Sequence, residues 1–280
     1  MQEVQVQLLC AMLFAADLAA RSVRLRALAA GAGGRLSSID ALRINLLADA
    51  GAAITPMRFG GEPARVAGLA SAGVRMPAIA ATIGWELVTA WPTLFVMGVA
   101  LMIVAAPDWL ATTWPTIAAR ANGAWPILVA ALALAGAALI AAQLLRKRVS
   151  GAFATHLDSY TTPWRSMPRR ALLVSVACSV VNVATRTALL PVLALSLPTP
   201  PEPATVWLGS FMLTYGQLVL PTPAGVGLVE LGFLGGAAGE FGGEIGLLLA
   251  WRWWANLLPA ILGLAVAWQL RRRLFRLVRP

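Results

Sequence analysis

Four stretches of this chain, residues 77–105, 123–145, 171–197 and 245–270, stay apolar over the roughly 20 residues that a helix needs to cross a bilayer. Composition agrees: 59% of the 280 residues are hydrophobic and 12% charged, where a soluble domain has about half and about a quarter. The same apolar mass excludes a disordered chain. A fifth stretch, about residues 6–20, is shorter and carries Asp17. No basic segment precedes it, as one would in a signal peptide; Arg21, Arg24 and Arg26 follow it instead, so it reads as a retained helix. Two further apolar stretches are broken by proline and glycine: 42–56 runs into TPMRFGGE, and 205–222 runs into PTPAGVGLVE.

The basic residues orient these segments. The net charge is +10, from 22 Lys and Arg against 12 Asp and Glu. In a soluble protein that excess would point to nucleic acid; in a chain this apolar it sets topology, and no nucleic-acid partner is expected. Eight basic residues lie between Arg21 and Arg75, six between Arg146 and Arg170, and five in the tail RRRLFRLVR. The intervening loops, 106–122 and 198–204, hold only Arg120. The positive-inside rule places all three patches, and with them the C-terminus, in the cytoplasm. They agree only if each broken stretch enters the membrane and returns to its own side. The expected fold is therefore an all-α polytopic membrane protein with about five full transmembrane helices plus two re-entrant helical hairpins. The first hairpin opens from the cytoplasm and the second from outside, each needing protein or a wet cavity around it. Residues 1–280 form a single transmembrane domain, with halves of about 6–145 and 171–270 joined by a cytoplasmic linker, 146–170.

The halves read as an inverted repeat. Thr55-Pro56, then Gly60 and Glu62, is matched by Thr222-Pro223, then Gly227 and Glu230, at an offset of 167 residues that slips to 168 at the glutamate. Trp85-Glu86 leads to Pro92, and Trp251-Arg252 leads to Pro259 after a similar spacing. At the same offset the first apolar segment falls on 171–197, so Arg21 maps close to Arg186. Three crossings separate the hairpins, which turns the second copy upside down. Broken segments at corresponding places in inverted halves point to a transporter's central site.

Charges at membrane depth cost about 2.5–3.5 kcal/mol each and default to functional candidates. Here they are Asp17, Asp49, Glu62, Glu86, Arg186, Glu230 and Arg252, with Arg58 at the first hairpin's tip. Arg58, Arg186 and Arg252 suit a phosphate, which guanidinium grips bidentately. The PTPAGVG turn presents backbone N–H groups, and the helix after it starts near Val226 or Gly227. Structural roles stand beside these. Glu62 and Glu230 fall in first turns, where a carboxylate caps free N–H groups. Arg186 and Arg252 can pair with Glu86 or Glu230 to hold helices together. Asp17 is placed near an interface, His156 in a solvated basic loop, and Trp109, Trp114, Trp125 and Trp164 in an interfacial belt.

Other chemistry finds no foothold. There is no GxSxG elbow, Walker A loop, HExxH helix or paired-Asp motif. His156 is the single histidine, and Cys10 and Cys178 form no CxxC pair, so neither a metal nor another cofactor is expected. The expectation is a non-enzyme; a small membrane transferase with a carboxylate base is the enzymatic alternative.

INLLADAGAAITPMRFGGEPARVAGLASAG resembles the P-x-R-x-G-E-x-x-R segment of the flippase-like family that corresponds to the lysylphosphatidylglycerol synthase transmembrane region. LPTPAGVGLVE resembles that family's second signature, P-x-P-G-G-x-G-x-x-E, with an Arg-containing helix after it, here LAWRWWANLLPAILG. Pro56, Arg58, Gly60, Glu62 and Arg65 match the first signature; Pro221, Pro223, Gly225, Gly227, Glu230 and Arg252 match the second. Ala224 stands where a glycine is usual, and Glu86 where an arginine would complete a symmetric clamp. The resemblance implies a bacterial inner-membrane protein that moves a phospholipid or aminoacyl-phospholipid headgroup between leaflets through a central charged cavity. It implies a substrate-binding set of Arg58, Glu62, Arg65, Glu86, Arg186, Glu230 and Arg252, and turns at Pro56, Gly60, Pro221, Pro223, Gly225 and Gly227. Its partners are membrane lipids, with a lipid-synthesis enzyme or a second copy of the chain beside them. These residues hold no aminoacyl-transferase domain, so lipid aminoacylation is not expected. The alternative function is a non-catalytic membrane partner of a lipid-synthesis complex, for hopanoids or aminoacyl lipids.

Overall fold

A computed structural model describes residues 3–107, 152–199, 201–218 and 245–277, together with 133, 220, 222–227, 230, 231 and 233. The expected 123–145 span apart from residue 133, with Arg120, Trp109, Trp114, Trp125 and Pro221, lies outside the described residues, as does the side chain of His156. Among the described residues the regular elements are helices: α1 (Glu3–Gly31), α2 (Ser38–Ala53), α3 (Gly61–Ser71), α4 (Met76–Ala105), α5 (Ala152–Arg165), α6 (Arg169–Ala194), α7 (Pro203–Tyr215), α8 (Ile245–Arg252) and α9 (Leu258–Leu277). A 3₁₀ turn, Gly216–Leu218, follows α7, and a π turn, Trp253–Leu257, joins α8 to α9.

Among the described residues four helices are long and apolar enough to cross a membrane: α1, α4, α6 and the run Ile245–Gln269. Three lie where the apolar stretches place them. The fourth corrects the sequence reading. α1 is 29 residues long, and Arg21 and Arg24 are part of it. At a rise of 1.5 Å per residue Asp17 sits about 21 Å from either end, in the middle of the span and not near an interface.

Arg21 and Arg24 are each 5% exposed, and the side chains of Arg65 and Arg58 are 11% and 14% exposed. Half of the first basic patch is therefore interior. Arg26, Arg35 and Arg75 are exposed and Arg43 half-buried, so these four remain as topology signals.

The linker is not simply a loop. Its residues 152–165 form α5, which packs on α4. Trp164 stacks on Trp85, with ring centroids 5.4 Å apart, over Gly84. The Trp85 indole N–H donates to the Trp164 carbonyl at 3.2 Å. Trp164 is thus a helix-packing residue here and not a free interfacial ring.

α2 and α3 fold against each other through a tight turn. A Cβ on Gly60 would stand 2.4 Å from the Gly51 carbonyl oxygen, and one on Gly51 would stand 2.5 Å from that of Gly60, so the approach admits no side chain at either. Thr55 ties the turn: its hydroxyl accepts from the Gly60 N–H at 2.7 Å and donates to the Gly51 carbonyl at 2.9 Å. α7 and its 3₁₀ turn lead to a second turn over 222–227. The Leu231 N–H donates to the Gly227 carbonyl at 3.0 Å, so helix resumes beyond Gly227 as the sequence indicates. The two turns touch in an isolated antiparallel bridge between Pro56 and Pro223. Neither proline has an N–H, so the pairing runs through the residues flanking them.

The apolar core divides at the middle of α1. Near its start, Val6 and Cys10 pack with Leu190 and Leu193 of α6, Leu213 of α7 and Trp251 of α8. Near its end, Leu25 and Leu28 pack with Ile44 of α2, Leu69 of α3 and Ile79 of α4. The charges occupy the band between. The π turn belongs to this band. Seven positions separate Trp85 from Pro92 and eight separate Trp251 from Pro259, and a π turn is the form a helix takes around one extra residue.

Candidate functional site

A buried ion network fills the polar band. Its centre is Asp17 and Asp49, from α1 and α2. Arg21 donates through one nitrogen to both Asp49 oxygens, at 3.1 and 3.0 Å, and through the other meets Asp17 at 2.9 Å. Arg186 of α6 donates from Nε to Asp17 at 3.2 Å and stands 3.7 Å from Asp49; Asn182, one turn earlier, also donates to Asp17. Arg58, at the first turn's tip, reaches the opposite half: it donates to Gln217 Oε1 at 3.1 Å and Asn256 Oδ1 at 2.8 Å. Its nearest carboxylate among the described residues is Asp49, at 3.9 Å.

A second group surrounds Glu86 of α4. It accepts from Arg24 at 2.5 Å and stands 2.9 Å from Arg65, which also reaches Glu62 at 3.3 Å. Arg24 donates onward to Ser179 at 3.0 Å, and a hydroxyl pair, Thr89 with Ser175 at 2.6 Å, continues the polar seam between α4 and α6. A third group braces the second turn. Arg252 pairs with Glu230 and donates to the Ala224 carbonyl at 2.8 Å, while Glu230 accepts the Gly227 N–H at 3.0 Å.

Charge separates the three. Glu62 and Glu86 balance Arg24 and Arg65, and Glu230 balances Arg252. At the centre Arg21, Arg58 and Arg186 face two aspartates, so among the described residues one positive charge is left over. It falls to Arg58, whose strongest contacts are neutral amides. Beside it, Asn256 Nδ2 and Arg252 Nη2 are buried donors without a partner among the described residues. A buried surplus of positive charge with spare donors is an arrangement for an anion.

Several sequence-derived placements change. Arg186 pairs with aspartates and not with Glu86 or Glu230, whereas Arg252 does pair with Glu230. Glu230 caps its turn; Glu62, with a side chain 47% exposed, makes no cap and binds Arg65. Pro56, Gly60 and Pro223 form the touching turns, and Gly225 and Gly227 take the left-handed backbone, φ 68° and 83°, that glycine allows. The structure adds Arg21, Arg24, Asn182, Gln217 and Asn256 to the site, and sets Asp17 and Asp49, already candidates as charges at membrane depth, at its centre. The spacing held a signal for most of them: Asp17, Arg21 and Arg24 follow at intervals of four and three, as do Ser175, Ser179 and Asn182, which puts each set on one helix face. Among the described residues no three His, Cys, Asp or Glu side chains stand together as metal ligands.

Membrane-length helices around a buried, charge-filled band define a multi-pass membrane protein with a polar interior. The chain belongs to the lysylphosphatidylglycerol synthase TM region family, whose model matches residues 2–263. No curated protein and no solved structure matches it.

Proposed function

We propose that this protein is a lipid transporter, a flippase that carries the phosphate of a phospholipid or aminoacyl-phospholipid headgroup past the paired turns. The observation that carries this reading is Arg58: a nearly buried guanidinium at the contact of the two turns, held by the Gln217 and Asn256 amides, whose one carboxylate contact among the described residues is Asp49 at 3.9 Å, shared with Arg21 and Arg186. Arg186 lies on the same aspartates and forms the second side of the anion site. Arg252 and Glu230 hold the second turn in shape, and Arg65 with Glu86 and Glu62 fixes α3 to α4 and faces any cationic part of the headgroup. The α2–α3 and α7–230 pairs are re-entrant hairpins of one inverted repeat, 6–145 and 171–270, in the inner membrane with the basic ends cytoplasmic. The meeting of Pro56 with Pro223 and the extra residue in the second half's π turn support that relation. The protein acts without chemistry of its own on the lipid.

The test is scrambling of fluorescent phosphatidylglycerol in proteoliposomes. Transport above empty liposomes is expected, lost in Arg58→Gln and partly kept in Arg58→Lys. No acceleration for any anionic or aminoacyl lipid by folded protein would sink the passive transporter. The close pairing of the other arginines favours one second reading, a non-catalytic partner that scaffolds a lipid-synthesis complex. That reading expects Arg58→Gln to leave function intact and the complex to co-purify.

A further inference from the structure

Hydroxyls on membrane helices commonly find a partner in their own backbone, one turn back. Thr82, Thr93, Ser179 and Thr185 do so here, donating to the carbonyl four positions earlier at 2.7–2.8 Å. Thr187 of α6 and Ser210 and Thr214 of α7 do not. All three are buried, and none has a hydrogen-bond partner among the described residues; the buried Tyr215 hydroxyl is equally unpaired. A buried polar group without a partner is destabilising, so such a cluster is suited to meeting water or the polar atoms of a ligand. Ser210 and Thr214 lie four apart on one face of α7, and Gln217 extends that face to Arg58, whose guanidinium donates to it at 3.1 Å. At 1.5 Å per residue Ser210 stands about 10 Å from the start of α7, and Gln217 about 10 Å beyond it. Nothing reaches this stripe from outside in the packing observed. Tyr215 stacks on Phe211, centroids 4.9 Å apart, and Phe211 seats on Gly98 of α4, where a Cβ would stand 2.7 Å from its ring. The closure is one-sided: toward the basic ends the polar band is exposed at Glu62, beside Arg65.

We propose that α7 is the outer gate of the transport path, and that Thr187, Ser210, Thr214 and Tyr215 line a water-filled approach to Arg58 that forms when Phe211 leaves Gly98. The inference rests on the transport reading and assigns the outward half of its route. The stripe offers neutral hydrogen-bonding groups only. It takes water, and then the uncharged polar atoms of a headgroup whose phosphate goes to Arg58. Entry of water pairs the idle hydroxyls, which offsets part of the cost of separating α7 from α4.

Thiol labelling tests it. In a background where Cys10 and Cys178 are replaced by alanine, cysteine replaces Thr214, which is 6% exposed, or Met212, two positions away and 64% exposed. The protein is placed in phosphatidylglycerol–phosphatidylcholine nanodiscs and treated with a charged, water-soluble methanethiosulfonate. The expected order reverses the exposures: Thr214→Cys reacts at least about tenfold faster than Met212→Cys, because a thiol in apolar surroundings keeps its proton and only the thiolate attacks. Gly98→Ala, which pushes the Phe211 ring aside, raises the rate at 214 and leaves that at 212 unchanged. Thr214→Val, nearly isosteric, keeps the thermal midpoint or raises it, since the closed state loses only an unpaired hydroxyl, and it slows scrambling. Reaction at 214 no faster than at 212, with and without Gly98→Ala, overturns the gate, and so does scrambling at the parental rate by Thr214→Val. Scrambling by the parent protein separates the two ideas. Transport with 214 unreactive removes the gate alone, and reaction at 214 without any transport leaves a hydrated cleft and removes the transport reading.

Discussion

Among the described residues Asp49 holds more cations than any other in the site: Arg21 at 3.0 Å, Arg186 at 3.7 Å and Arg58 at 3.9 Å. Removing its charge leaves Arg58 with no carboxylate among the described residues and Arg21 and Arg186 with Asp17 alone, all within a buried band. Breaking a buried ion pair from one side costs about 3–5 kcal/mol, because the remaining charge stays buried. Asp49→Asn, nearly isosteric, is therefore expected to lower the thermal midpoint in detergent by many degrees or to prevent folding; a midpoint unchanged from the parent protein would show that the aspartate does not anchor the network. Ala224 presents the opposite case. It holds φ 47° where a left-handed backbone costs an L-residue about 1–2 kcal/mol, and its carbonyl is fixed by Arg252. Glycine removes that strain and gives back about 0.5–1 kcal/mol through the freer unfolded chain. Ala224→Gly should raise stability by up to about 1 kcal/mol, read from the unfolding midpoint. A fall would mean that packing of the 4%-exposed methyl outweighs the strain.

Helices, turns and their register place these residues, and the π turn does so most directly. Arg252 and Asn256 lie four positions apart across it, one on the second turn and the other on Arg58. Each residue of an α-helix advances about 100°, so deleting Leu257 to restore regular α-helix rotates Asn256 relative to α9 by about that much. The expected result is helix content unchanged by circular dichroism and transport lost; transport at the parental rate would show that the π turn has no part in the site. This level also marks what the sequence made legible. Long apolar runs declared α4 and α6 because their side chains face lipid, where hydropathy is the whole selection. The turn at Pro56 was legible from its proline and glycines. The pairing of Arg21, Arg24 and Arg65 was not, since arginines counted along a sequence look alike whether they mark a membrane face or sit in an interior ion pair. Only the three-and-four spacing of Asp17, Arg21 and Arg24 inside an apolar helix separates the cases. Gln217 and Asn256 gave no signal, being polar residues whose meaning comes from a partner nearly 160 or more positions away.

At the scale of the whole molecule the two turns touch, among the described residues, in an isolated bridge of Pro56 with Pro223, and the transport reading requires that contact to open. Arg58 crosses the same seam by side chain, so opening exchanges its amide partners for a ligand's phosphate without leaving the charge bare. The bridge itself offers the test. A proline pair has no N–H to give, which makes it the non-hydrogen-bonded kind of antiparallel pair, with Cα atoms about 4.5 Å apart. That separation lies within the range of about 4.4–6.8 Å that a disulfide spans. In a background where Cys10 and Cys178 are replaced by alanine, Pro56→Cys with Pro223→Cys should cross-link on mild oxidation, seen as a mobility shift that reductant reverses. The oxidised protein should keep its bound anionic lipid and stop scrambling, and reduction should restore the rate. If the turns close the path, a covalent bond between them must hold it shut. Full scrambling by fully cross-linked protein would mean that lipid passes elsewhere, and that the touching turns serve to brace the helices.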